Sequence, residues 1–333
     1  MSKHSVPAGE VSGLLCRFAE LRRKAAARTG RDFPIIVIQE AGLDGFWIHR
    51  VLQSEGIESH VVDAASILTS RRRRRMAYQR GEPRVCSMAR APTPQEEDRR
   101  RVCRERRTLM GERVSHVNRI KGLLSAQGVF GYEPLRKGRR ERLEDLRTGD
   151  RRPLPVRLKA QIIRELGRLE VLLEQLKTVE AERDALLKPA SDEAASPAAM
   201  LARLKGIGPE TAAVLWSEGL FRQFDNRRQM AAYAGLAPTP WQSGSIDHEQ
   251  GVSKAGNPRL RTAMVELAWL WLRNQPTSAL SLWFHERVQR LGRQVRKTII
   301  VALARKLLIA LWRYTTAGVV IEGAVMKAAA VTN

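Results

Sequence analysis

Acidic residues are scarce in this sequence: 35 Asp and Glu stand against 58 Lys and Arg in 333 residues, a formal charge of +23. That imbalance disfavours acidic partners' opposites and favours a polyanion, whose condensed counter-ions would be released on binding. Aromatic residues make up only 5% of the chain, which argues against a protein that reads single strands mainly by stacking bases. The three cysteines, Cys16, Cys86 and Cys103, give neither metal-ligand spacing nor an even-numbered disulfide framework, and the six histidines are scattered. A reducing cytoplasm is the simple expectation. No N-terminal apolar block reads as a signal peptide. The most apolar late stretch, 298–312, is interrupted at its centre by Arg305 and Lys306, so no membrane span is expected.

An apolar fraction of 43% is enough to build real cores, and the length allows two or three domains. Positive charge recurs at 71–75, 99–107, 136–142, 287–297 and 305–313, which fits a long nucleic-acid surface better than a single cationic tail. Arg outnumbers Lys, as suits bidentate contacts to phosphate.

Along the chain, residues 8–28 have the spacing of an amphipathic helix, with Val11, Leu14, Leu15, Phe18 and Leu21 on one stripe. Phe33–Glu40 reads as a buried strand, a helix follows over about 43–55, and Ser59–Asp63 reads as a second strand. Strand–helix–strand with short joins predicts a parallel sheet. Helices are expected over 95–127 and 156–187, separated by a loop over 128–155. In the second, Ile162, Leu166, Leu169, Leu173 and Leu176 alternate four and three residues apart, the coiled-coil period. An antiparallel hairpin and a dimer seam both satisfy that period. The division expected is an α/β region over 1–94, a helical arm over 95–187, a linker over 188–199 and an all-helical region over 200–333, with a loop at 235–257.

Two motifs carry chemistry. Lys205-Gly206-Ile207-Gly208-Pro209 reads as a helix-hairpin-helix, whose glycines would bring bare backbone N–H groups and a helix N-terminus to a phosphate. A plain turn between helices is the alternative. Further on, Ser243-Gly244-Ser245 precedes Lys254 and the helix start Asn257-Pro258-Arg259-Leu260-Arg261. Asn257 suits an N-cap and Pro258 the first helical position. A phosphodiester could be gripped there beside a hydroxyl, although on residue type alone Ser243 is an ordinary turn residue.

The run Ala231–Leu236, then Gln242-Ser243-Gly244, then Ser253–Arg261, resembles the C-terminal domain of the IS-one-ten family of insertion-sequence transposases. The glycine hairpin, the long helices, Gln39-Glu40-Ala41-Gly42 and Val61–Ser66 fit the same resemblance, which covers the chain from about Asp32. It implies a RuvC-like, RNase H-type α/β domain with four acidic ligands for Mg²⁺, a coiled-coil arm joining copies in a homo-oligomer, and a helical domain with a catalytic serine. It also implies recombination of DNA directed by a structured guide (bridge) RNA. Ser243 would be the nucleophile and Glu40 the second acidic ligand. Lys205, Gly206, Gly208, Lys254, Asn257, Arg259 and Arg261 would contact nucleic acid.

The sequence departs from that pattern in the acidic set. Residues 1–31 hold no Gly-hydrophobic-Asp strand, as though the chain began after it. Arg71–Arg75 pass directly into Met76–Pro83 without the expected Lys-Thr-Asp-x-x-Asp-Ala stretch. A single carboxylate is a poor Mg²⁺ site. The expectation is a recombinase with impaired chemistry, set against a binding-only remnant and a coiled-coil scaffold.

Overall fold

A computed structural model describes residues 5–7, 9–40, 46–62, 91–187, 196–243, 246–252 and 256–327, with backbone alone at Glu40, 238–243 and 246–252. The described residues are mostly helical, with four short strands. They divide into two compact units: Met1–Pro94 with Glu218–Ala324, and Gln95–Ser217 with Val325–Asn333.

The first unit opens with α1 (Val11–Thr29), ended by Gly30 in the left-handed conformation. Next come β1 (Ile36–Glu40), α2 (Trp47–Ser54) and β2 (Glu58–Val62). The strands pair in parallel, Ile36 opposite Glu58 and Glu40 opposite Val62, as the strand–helix–strand order predicts. Leu52, Val61 and Val62 are buried, whereas Ile36 and Ile38 are 51% and 42% exposed. Among the described residues this sheet has two strands, so both are edges and part of one apolar face is open.

The rest of the first unit is built on α8 (Arg227–Tyr233), α9 (Pro258–Asn274), α10 (Ala279–Leu291) and α11 (Arg296–Ala317); the labels α3 to α7 belong to the helices of the second unit, given below. Leu260, Met264, Leu267 and Trp271 of α9 and Ile300, Leu303, Leu307 and Leu311 of α11 are buried. Ser278 caps α10, accepting from Ser281 N–H, and receives the Trp271 indole N–H at 2.9 Å. Between α8 and α9 lies the main correction to the sequence reading. Residues expected as a loop in an all-helical region form an antiparallel hairpin of β3 (Pro238–Ser243) and β4 (Ile246–Val252). Pro238 and Pro240 fit within β3 because both strands of a two-stranded ribbon are edges, where proline is tolerated.

In the second unit, α3 (Pro94–Ser125) and α5 (Val156–Leu187) form an antiparallel pair. The pairing runs in opposite directions: Arg106 meets Glu180, and His116 and Arg119 meet Glu165. Ile162, Leu166, Leu169 and Leu176 join Leu109, Ile120 and Leu124 in one core. The heptad stripe is therefore covered within the chain's own hairpin. The connection expected as a loop contains α4 (Arg139–Glu144) and contributes Tyr132, Leu143 and Leu154 to that core. Beyond α5, α6 (Pro197–Ala202) and α7 (Pro209–Leu215) follow. Arg183 donates to Glu210 Oε2 at 2.9 Å, fixing the first turn of α7 to α5. Helix α7 stops at Leu215 and the chain continues as a π turn, Trp216–Leu220.

Glu165, with a side chain 4% exposed, accepts hydrogen bonds from His116 at 2.7 Å and Arg119 at 3.0 Å and also pairs with Arg168. Burial pushes its carboxyl up, but the bonds from His116 and Arg119 and the nearby guanidinium charges outweigh it and hold it below the usual carboxylate range. Its contribution to stability is present at neutral pH and is lost as pH falls through that depressed value. Glu165→Gln is expected to destabilise the helical pair by about 2 kcal/mol at neutral pH. Thermal unfolding followed by circular dichroism should show the difference from wild type shrinking on acidification; an equal difference at acid pH would contradict the assignment.

Candidate nucleic-acid interface

Helix α8 starts at Asn226, whose side-chain oxygen accepts from the Arg228 and Gln229 N–H groups at 3.0 Å. It ends at Gly235, which has φ +63°. The Gly235 and Leu236 N–H groups turn back onto Ala232 O and Ala231 O, both at 2.9 Å. The chain then leaves as β3, with Ser243 opposite Ile246 in the last pair before Gly244 and Ser245. A six-residue strand carries Ser243 about 16 Å from Pro238.

The returning chain closes on the same helix end. Asn257 N–H donates to Tyr233 O at 2.7 Å. Gly256 has φ +96°, and a Cβ there would lie 2.6 Å from Gly235 N and 2.7 Å from Tyr233 O. Both neighbours are backbone, so only glycine fits.

Asn257 ties this crossing to α9 and to the π turn. Its Oδ1 accepts from the Arg259 and Leu260 N–H groups at 3.0 and 3.2 Å, making it the N-cap that the sequence predicts. Its Nδ2 donates to Glu218 Oε2 at 2.9 Å, with Glu218 O at 3.2 Å and Tyr233 Oη at 3.4 Å. Glu218 is only 2% exposed. The Arg222 guanidinium lies 4.4 Å from the Tyr233 ring centroid. The first turn of α9 holds no acidic residue, and it presents Arg259 exposed and Arg261 half-buried. A helix N-terminus with two guanidinium groups and no carboxylate in its first turn favours an anion.

The remaining predicted residues lie elsewhere. Lys205, Gly206 and Gly208 belong to the turn between α6 and α7 in the second unit. Gly206 has φ +91°, and nothing stands within 4 Å of where a Cβ would be on Gly208, which caps α7 in extended conformation. The Lys205 N–H donates to Val325 O at 3.0 Å. Lys327 Nζ donates to Ala202 O and Ile207 O, both at 2.7 Å, clamping the turn from a residue that no sequence motif singles out. Lys254 lies outside the described residues.

Glu40 ends β1 opposite Val62. The other carboxylate of that sheet, Glu58, sits opposite Ile36 at the far end and is hydrogen-bonded to His60 at 2.6 Å. No group of three or more His, Cys, Asp or Glu able to hold a metal occurs among the described residues. The described residues do not fit the Mg²⁺ site that the resemblance implies. No helix among them is long and apolar enough to cross a membrane.

Residues 198–283, from α6 into α10 and including the hairpin and Asn257, match the model of the "Transposase IS116/IS110/IS902 family". A Sinorhizobium fredii protein that carries the name transposase y4rJ is 69% identical over 98% of this chain and 88% of its own length. The chain belongs to the IS116/IS110/IS902 transposase family. A Pseudomonas aeruginosa protein named as a family 20 transposase is 33% identical over 63% of this chain and 60% of its own length. The transposase for insertion sequence element IS1111A of Coxiella burnetii is 28% identical over 67% of this chain and 60% of its own length.

In this transposase the structure brings Asn257, Arg259 and Arg261 together at one helix start, and sends Ser243 to the tip of the hairpin rooted there. Glu218 and Gly256 are the residues that sequence reasoning missed. A glycine directly before an N-cap asparagine was a usable signal for Gly256. Glu218 gave none, because in sequence it continues the helical pattern of α7. Asn257→Ala removes the cap and the donor to Glu218, and is expected to destabilise this region by about 2 kcal/mol. Hydrogen exchange should show the Arg259 and Leu260 amides losing protection first; unchanged protection would contradict the cap.

Proposed function

We propose that this transposase holds insertion-sequence DNA, together with a structured guide RNA, and that Ser243 is the nucleophile for strand cleavage. The observation that carries the reading is the hairpin base. Gly256 and the Asn257–Glu218 contact lock the root of the Ser243 hairpin to a helix start bearing Arg259 and Arg261. In the proposed step Ser243 Oγ attacks phosphorus, a Ser–O–P bond forms, the P–O bond to the leaving nucleotide breaks, and the serine proton passes to the departing oxygen. Arg259, Arg261 and Lys254 would offset phosphate charge, and Asn257 would act by positioning them.

The turn at Gly206 and Gly208 is read as a helix-hairpin-helix gripping a second stretch of backbone, which its open Gly208 position supports. The β1–α2–β2 segment is read as part of an RNase H-like domain. Because the heptad stripe is covered within the chain, a homo-oligomer would use another surface. This copy is read as impaired in cleavage, because the segment after Arg75 lacks the paired aspartates of the implied acidic set.

Covalent capture tests both parts. Purified protein is incubated with element-end DNA, guide RNA and Mg²⁺, with Ser243→Ala as the control. The expected result is salt-sensitive binding with a weak denaturation-resistant adduct that Ser243→Ala abolishes. A robust Ser243-dependent adduct would overturn the impairment, and absence of any DNA binding would overturn the reading as a whole.

A further inference from the structure

Many cations of the helical arm are matched by carboxylates. Arg106 pairs with Glu180 and Glu210, Arg119 and Arg168 with Glu165, and Arg139 and Arg140 with Glu170. The end of the chain is different. Helix α11 carries Arg296, Lys297, Arg305, Lys306 and Arg313 and no acidic residue, and α10 has Glu286 as its one carboxylate. Among the described residues, Arg287, Arg290, Lys306 and Arg313 form no ion pair, and all four are exposed.

Trp283 organises them. Lys306 Nζ lies 4.7 Å from its ring centroid and Arg287 Cζ 5.9 Å from it, so one indole draws cations from two helices. Such contacts orient a cation without neutralising it. Arg287 and Arg290 follow Trp283 by four and seven residues and share its face of α10, while Lys306 and Arg313 are seven apart on α11. The Trp283–Lys306 contact joins the two rows. Exposed cations without counter-charges repel one another, and a polyanion relieves that repulsion. A lipid surface is the poorer match, because most of the large apolar residues of α11 are buried in the core, and on α10 only Leu282 and Leu291 are largely exposed, too few to insert as a continuous apolar face.

We propose that the α10–α11 face centred on Trp283 is a docking surface for the phosphate backbone of a DNA duplex, the polyanion that a transposase family member handles, formed by residues other than those at the start of α9. This rests on the nucleic-acid reading above but not on cleavage by Ser243. The test uses the full chain with Arg287, Arg290, Lys306 and Arg313 all changed to Gln. Fluorescence anisotropy follows binding to labelled element-end DNA, to an RNA hairpin, and to phosphatidylserine vesicles. With four phosphate contacts removed, the slope of log K against log salt should become shallower by about 3 to 4 for DNA. Affinity should fall roughly tenfold or more at about 0.15 M salt. Loss for RNA with DNA unchanged would overturn the proposal.

An unchanged slope for both nucleic acids in a folded variant, or an effect confined to vesicles, overturns the proposal. Wild-type chain that binds no duplex at all instead defeats the functional reading. Should the variant misfold, acylation of Lys306 in the wild type decides: added duplex is expected to protect it, and equal reactivity with and without duplex overturns the proposal.

Discussion

The hydrogen bond from Asn257 Nδ2 to Glu218 Oε2 is the contact on which the candidate interface depends. Asn257 uses its other polar atom to cap α9. One side chain thus links the π turn, the end of α8 and the start of α9. A buried carboxyl group deprived of that donor would lose a charge-assisted or strong neutral hydrogen bond in a setting where water does not replace it. Gly256 makes the same crossing possible on the backbone side, because any Cβ would collide with Gly235 and Tyr233. The hairpin carrying Ser243 and the basic first turn of α9 are for this reason branches of a single fixed root.

Charge is arranged on a second principle. The helical arm matches many of its arginines to glutamates, which rigidifies the hairpin and leaves less of its field for a ligand. In α10 and α11 the cations are exposed and unmatched among the described residues, with a tryptophan setting the orientation of two of them. The overall +23 overstates the arm as a nucleic-acid surface and understates the end of the chain.

The periodic elements were legible because burial enforces period. The helix of 156–187 and the helix of 258–274 have the bounds that their apolar spacing and the Asn257-Pro258 start predict. The heptad stripe was legible as a stripe but not as to partner, since a seam within a chain and one between chains present the same side chains. The β3–β4 hairpin was not legible, because proline weighs against a strand unless the strand is known to be an edge. Glu218 was hidden because a π turn looks in sequence like more helix, and only the fold brings its carboxyl to Asn257. The family resemblance supplied what periodicity lacked, pointing to Ser243 and to the helix start beyond it.

The Asn257–Glu218 contact can be broken and then rebuilt by a rescue experiment. Asn257→Asp keeps an oxygen to cap α9 but sets two carboxyl groups against each other, and Glu218→Gln in the same chain restores a donor and an acceptor. Asn257→Asp is expected to weaken both folding and DNA affinity, and the added Glu218→Gln to recover most of each. If the double variant is no better than Asn257→Asp, or if Asn257→Asp binds DNA as the wild type does, the contact does not organise the interface and the account fails.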